Sequence, residues 1–272
     1  MDPKVIIASP VSYKILKGEP FFTGVEWLHS ALSQDYNPLA IYVLANGLQP
    51  EMLEQMKAIK NPKLTIKNVD FGYDPDVRKD RRKTDKTYIK FAKIRNTVLD
   101  FALATEADYM VSIDSDIIVH PDCVYRLVSK IQDKHKYAMI GAIVNNTRRV
   151  NQNNKYPHAT YNFGILTDTP RRELAKGEKP PKYTYTKTRF NRGAFIDVGY
   201  TGACAIIDLN IFRKHQEIRW GERLYGEDLF LCERIREAGY KIGVDTSIVT
   251  LHMMDDIVWK GDVGAFMKLQ IV

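Results

Sequence analysis

"YMVSIDSDIIVHPD", residues 109–122, is an apolar run of strand character that breaks at two aspartates with a single serine between them. The interior of a buried strand does not carry unpaired carboxylates. The run therefore reads as a core strand that ends at a site, with Asp114 and Asp116 at its carboxyl end. Residues i and i+2 of a strand project to the same side, so both carboxylates can reach one point. Two carboxylates held that close repel unless a cation lies between them. Oxygen ligands favour hard divalent ions, Mg²⁺ or Mn²⁺, which keep part of their water shell and complete it with substrate phosphate oxygens. The competing reading makes the aspartates helix caps, because Pro121 and Asp122 mark a helix start just beyond them.

Around this strand lie others of the same kind: "KVIIAS" (4–9), "LAIYVLA" (39–45), "KLTIKNV" (63–69) and "YAMIGAIV" (137–144), separated by helical stretches. Strands alternating with helices predict an α/β fold with a mainly parallel, Rossmann-like sheet. Open sheets of this class bind ligands at the carboxyl ends of their strands, where the aspartates sit. Residues 1–145 are expected to form the ligand-binding α/β half. Residues 146–272 form a smaller mixed α+β half, packed with the first as one continuous domain. Its first part, 146–193, is rich in Asn, Thr, Pro, Lys, Arg and Tyr and has no helical period, so it reads as a basic loop region. That loop is expected to be mobile until a ligand gives its charges and aromatics something to pack on. Beyond it, "GEDLFLCERIREAGY" (226–240) has helical spacing, with Gly239 as a C-terminal cap.

The helix "YIKFAKIRNTVLDFALA" places Tyr88, Phe91, Ala92, Val98, Leu99, Ala102 and Leu103 on one stripe, with Arg95 in its middle. An arginine there either snorkels from the helix side or points into a pocket that holds an anion. A net charge of +7 and a pI near 9.1 favour acidic partners, and the basic residues concentrate in 77–95 and 146–193. The amino terminus has only a five-residue apolar run, and no segment approaches the ~18 apolar residues of a membrane span. A soluble, cytoplasmic protein is expected, with peripheral membrane association as the only kind open to it. Cys123, Cys204 and Cys232 are odd in number and widely spaced, so they read as core hydrophobes.

In order along the chain, "ASPVSYK", "LANG", "KIRN", "SIDSDI", "YTGACAIID", "GEDLFLCERIREAGY" and "LHM" resemble the GT-A class of nucleotide-sugar glycosyltransferases, in particular its family-two-like group. The resemblance implies a metal-dependent transfer of a sugar from a UDP- or GDP-sugar to a hydroxyl of a carbohydrate, lipid or protein. It implies that Asp114 and Asp116, with the late His252, hold Mn²⁺ or Mg²⁺ on the donor diphosphate. Ser9, Pro10 and Tyr13 would lie near the nucleotide base, and Arg95 and Ser115 would also face the donor. Thr201, Gly202 and Trp220 would face the acceptor. Glu227 or Asp228 would be the acidic catalytic group, with Asp228 as the base if the reaction inverts configuration. If it retains configuration, the same residues would position substrate. His252 can equally be a packed histidine beside Met253 and Met254, and Asp114 can serve the ribose or a metal-bound water.

"QEIRW" (216–220) matches the Q-x-x-R-W signature of processive polysaccharide synthases, but it precedes "GED" and lacks flanking membrane helices, so it reads as coincidence. Trp27, Trp220 and Trp259 are core residues or sugar-stacking surfaces. Among rivals, a sugar-nucleotide nucleotidyltransferase needs a glycine-rich, arginine-containing loop after the first strand, which "ASPVSYK" is not. A nucleic-acid-binding role is disfavoured because the carboxylates repel a phosphate backbone. An inactive carbohydrate- or nucleotide-binding relative is the third alternative.

Overall fold

The central strand β1 (Val5–Val11) reads VIIASPV and is buried along almost its whole length. The structure is a computed structural model that describes residues 2–16, 19–72, 85–146, 163–164, 193–221 and 227–253. After β1 come the hairpin strands β2 (Lys14–Leu16) and β3 (Glu19–Phe21), then α1 (Gly24–Leu32), β4 (Ala40–Asn46), α2 (Pro50–Lys57) and β5 (Leu64–Val69). The chain continues through α3 (Asp85–Leu103), β6 (Tyr109–Ile113), β7 (Ile117–Ile118), α4 (Cys123–Asp133) and β8 (Tyr137–Asn146). Then follow β9 (Phe163–Gly164), β10 (Phe195–Asp197), β11 (Tyr200–Thr201), β12 (Cys204–Asp208), α5 (Leu209–Lys214), α6 (Glu227–Glu237) and β13 (Lys241–His252).

The main sheet has the order β10-β13-β8-β12-β6-β1-β4-β5, with β7 added on β13. Strands β5, β4, β1 and β6 run parallel, and β13 runs parallel to β8. Antiparallel β12 separates β6 from β8, so the sheet draws on both sides of residue 146. Two-residue alternation sends Ile6 and Ala8 into one core, with Ala92, Ile94, Val98 and Leu99 of α3, Phe212 of α5 and Leu231 of α6. Val5, Ile7 and Val11 enter the opposite core, with Trp27 of α1, Met56 of α2 and Leu127 of α4. Both faces of the sheet are thus covered by helices, which is why β1 and β4 read as near-continuous apolar runs, while β5 at the sheet edge alternates.

The five predicted strands correspond to β1, β4, β5, β6 and β8. The α3 stripe carries Ala92, Val98, Leu99 and Ala102 into the core as predicted and adds Ile94, whereas Phe91 and Leu103 are only half-buried. Gly239 adopts φ +86° at the end of α6, the left-handed cap its position requires. All three cysteines are buried and free. Apart from its ends and β9, the predicted basic loop lies outside the described residues, as does Trp259. From β1 the chain builds outward through β4 and β5, then crosses back to place β6 on the other side of β1. Such a reversal opens a crevice at the carboxyl ends of the two strands. In the described residues no helix is long and apolar enough to cross a membrane.

Candidate active site

The two aspartates lie just past β6 rather than in it. Asp114 begins a turn closed by the Ile117 N–H donating to the Asp114 carbonyl at 2.9 Å, after which β7 starts. They share one cleft because the turn is held open toward it, and not through strand alternation. The helix-cap reading does not apply, since Asp122 is the residue that precedes α4.

Every side of this turn is gripped. Ser9 Oγ donates to the Ile113 carbonyl and accepts from the Ile113 N–H at 2.9 Å, while Trp27 Nε1 donates to the same carbonyl at 3.1 Å. Thr23 Oγ1 donates to the Ser115 carbonyl at 2.7 Å. The Asp114 N–H donates to the Ala203 carbonyl at 2.7 Å, and the Met253 N–H donates to the Asp116 carbonyl at 2.8 Å. Four separate segments, β1, the start of α1, the Ala203 turn and the end of β13, therefore fix the backbone that carries the carboxylates. Ala203 itself has φ +64°, and the Cys204 N–H bonds to the Gly202 carbonyl at 2.8 Å across it, a positive-φ γ-turn that an L-residue rarely adopts.

The cleft has a volume of about 240 Å³ and is bounded by Pro10, Thr23, Asn46, Arg95, Asp114, Ser115, Asp116 and Glu227. Arg95, only 9% exposed, resolves the choice left by its place on the helix stripe. Its Nη2 donates to Asp114 at 2.8 Å, its Nε donates to Glu227 at 3.2 Å, and Nε lies 3.8 Å from Asp228 Oδ1. One buried cation thus binds both acidic motifs. Burial lowers the arginine's proton affinity, but the three carboxylates outweigh it and hold Arg95 well above its ordinary value. Burial raises Asp114, Arg95 pulls it back, and the charges of Asp228 and Asp116 leave it above the usual carboxylate range. Burial, with the charge of Asp228 second, pushes Glu227 up to about 7 against the pull of Arg95.

Asp116 faces a different partner. Its Oδ2 lies 3.0 Å from His252 Nε2, brought there because β13 pairs with β7 through His252 and Ile117. Among the described residues no three His, Cys, Asp or Glu side chains form a metal cage on their own. Asp228 accepts a hydrogen bond from Trp220 Nε1 at 3.0 Å. Gly202 lies so close to this carboxylate that a Cβ there would overlap Asp228 Oδ2.

Of the predicted residues, Pro10, Arg95, Asp114, Ser115, Asp116 and Glu227 line the cleft. Ser9 lies beneath it, fully buried with its hydroxyl on Ile113. Tyr13 packs beside the core that α1, α2 and α4 cover. Thr201 is buried against Gly141, and Trp220 is 4% exposed with its indole N–H on Asp228. Three contributors went unread in the sequence. Thr23 gave no signal. Asn96 stood unremarked in "KIRN". Asn46 ends the strand before "G" in "LANG" and lines the cleft: its Oδ1 accepts the Phe71 N–H at 3.0 Å, and its buried Nδ2 has no hydrogen-bond partner among the described residues.

No curated protein matches the sequence. A family model described as glycosyl transferase family 2 matches residues 25–215, well over half of the 272. Arg95 and both cleft aspartates fall inside that span, whereas Trp220, Glu227, Asp228 and His252 lie beyond it and are tied to it by Arg95 and Asp116. The helix-covered, mostly parallel mixed sheet with its site at the strand ends is the GT-A fold that this family implies. The chain belongs to glycosyltransferase family 2, enzymes that transfer a sugar from a nucleotide-sugar donor to an acceptor.

Proposed function

We propose that the protein is a metal-dependent glycosyltransferase that uses a UDP- or GDP-sugar and glycosylates a hydroxyl of a carbohydrate, lipid or protein. The observation that carries this reading is that Asp114, Asp116, Arg95 and Glu227 line one cleft, with His252 against Asp116 and Asp228 beside Arg95.

The donor set fits a divalent ion. Ligands at about 2.1 Å in adjacent octahedral positions lie about 3 Å apart. Asp116 Oδ2 and His252 Nε2 have that separation. An oxygen and an imidazole nitrogen suit Mn²⁺ well and leave positions for phosphate oxygens and water. When bound, the ion would neutralise charge developing on the departing diphosphate. Arg95, already stripped of most of its water, adds a second positive charge on that side of the cleft. Asn46 Nδ2 offers a hydrogen bond to an acceptor atom of the nucleotide. Asp228, on the Arg95 side, accepts the proton of the incoming hydroxyl.

Calorimetric titration of UDP and GDP with and without Mn²⁺, in wild type and Asp116→Ala, tests the reading. Mn²⁺ is expected to tighten binding of one of the two nucleotides, and Asp116→Ala to abolish that gain. Binding of neither nucleotide, or binding indifferent to Mn²⁺, would overturn it. Metal-dependent hydrolysis of UDP-glucose or GDP-mannose separates a working enzyme from an inactive binding relative.

A further inference from the structure

We infer that Asn96 and Trp220 form a positioning relay that fixes the carboxylate of Asp228 against Arg95; the inference rests on the reading of Asp228 as the group that takes the acceptor proton. Asn96 directly follows Arg95 on α3. Its side-chain amide bonds to both backbone polar groups of Trp220 in the 219–221 strap: Nδ2 donates to the Trp220 carbonyl at 2.8 Å, and Oδ1 accepts the Trp220 N–H at 3.0 Å. This pairing imitates a rung of β-sheet and satisfies the backbone of a buried residue that lies in neither helix nor strand. It fixes the residue on which the indole depends.

The strap is held on both sides. Arg219 Nη2 lies 3.6 Å from Asp100 of α3, and a Cβ on Gly221 would overlap the Phe230 ring of α6. Residues 219–221 are therefore wedged between the two helices. The indole has one N–H, and it donates to Asp228 Oδ1 at 3.0 Å. Arg95 approaches the same oxygen at 3.8 Å, and its guanidinium carbon lies 5.9 Å from the centre of the Trp220 ring. Consecutive residues of α3 thus determine one carboxylate twice, Arg95 by charge and Asn96 through the strap. Because Arg95 also holds Asp114, the distance from the base to the donor-binding aspartates is set by a single helix. A displacement of about 1 Å at such a group lowers rate by about 100-fold.

Trp220→Phe is the discriminating variant, because it keeps the buried ring and removes only the N–H. Hydrolysis of UDP-glucose and GDP-mannose in Mn²⁺, with water in place of the acceptor, gives kcat, and calorimetry with UDP and GDP gives donor-side affinity. The expected result is a kcat lowered by about 10- to 100-fold with nucleotide Kd changed by less than about twofold. Asn96→Ala is expected to lower kcat in the same way, and Asn96→Ala with Trp220→Phe to lose little more than Trp220→Phe alone, since the two act in series. Full kcat in Trp220→Phe, a parallel loss of kcat, affinity and Tm, or multiplicative losses would each overturn the relay.

A readout without turnover closes the test. In ¹⁵N-labelled protein the Trp220 indole resonance, identified by its loss in Trp220→Phe, is expected to shift in both Asn96→Ala and Asp228→Asn. A resonance unmoved by either substitution overturns the inference. Asp228→Asn also separates the two levels of argument. If it abolishes turnover while Trp220→Phe does not change it, the relay alone fails. If Asp228→Asn retains full turnover, the reading of Asp228 as base fails and the relay fails with it.

Discussion

Glu227 shows how far a neighbourhood can move a single group. Burial and the adjacent Asp228 raise it from 4.5 to about 7, although Arg95 lies 3.2 Å away. The folded state therefore binds the Glu227 proton more tightly than the unfolded chain does. Its contribution to stability is complete below pH 4.5 and is lost as the pH rises to about 7. Glu227→Gln keeps an oxygen for Arg95 and removes the titration. The variant is expected to match wild type near the bottom of that window and to exceed it in stability above the top. Urea midpoints measured across the window check this, and identical pH slopes for the two proteins would exclude it. Arg95 itself was legible as an anomaly, a charge on an apolar stripe. Its bond to Glu227 was not, because Glu227 lies 132 positions away in the chain and nothing local in the sequence encodes that contact.

At the scale of elements, the aspartate turn is preorganised by its neighbours. Ser9 and Trp27 hold the end of β6, Thr23 holds Ser115, Ala203 receives Asp114, and Met253 anchors Asp116. A site held from four segments keeps its carboxylates aimed before any ligand arrives. The positive φ of Ala203 is a strained member of this arrangement. An L-residue there is less stable than glycine by about 1 kcal/mol, partly offset by glycine's greater freedom in the unfolded chain. Ala203→Gly is therefore expected to raise Tm by about 2 °C. A lowered Tm in differential scanning calorimetry would show that the Ala203 side chain contributes packing that outweighs the strain. Although Gly202 is the residue free of a Cβ, its neighbour Ala203 takes the left-handed conformation, and Gly202 is needed for closeness to Asp228 instead.

Across the whole molecule, the sheet joins what the sequence presents as two halves. Strand β8 pairs with β12 and β13, both of which follow residue 146, and β12 also covers the edge of β6. A fragment of residues 1–145 would leave β8 without its partners and the apolar flank of β6 open. It is expected to lack a cooperative unfolding transition and fixed aromatic packing. Near-UV circular dichroism and urea titration of the fragment test this, and a sharp transition would show that the first half folds independently. The same assembly closes the cleft with long-range contacts: His252 reaches Asp116 across 136 positions, and Asn96 reaches Trp220 across 124.

The sequence by itself determined the strand runs, the α3 stripe, the glycine cap of α6 and the two acidic motifs, because hydrophobic period and turn chemistry are local properties of the chain. It placed Asp114 and Asp116 at the end of a core strand, where the parallel sheet opens its crevice. Only the tertiary structure decided that the pair lies in a turn, that Ser9 supports that turn from below, and that Trp220 bonds to Asp228. It also decided that Arg95 joins the two acidic motifs and that Asn46, which lines the cleft, has an amide nitrogen with no partner among the described residues. Those outcomes depend on contacts between separate elements, several of them joining residues more than a hundred positions apart, or on which backbone groups are already satisfied. Neither is written in any short window of sequence.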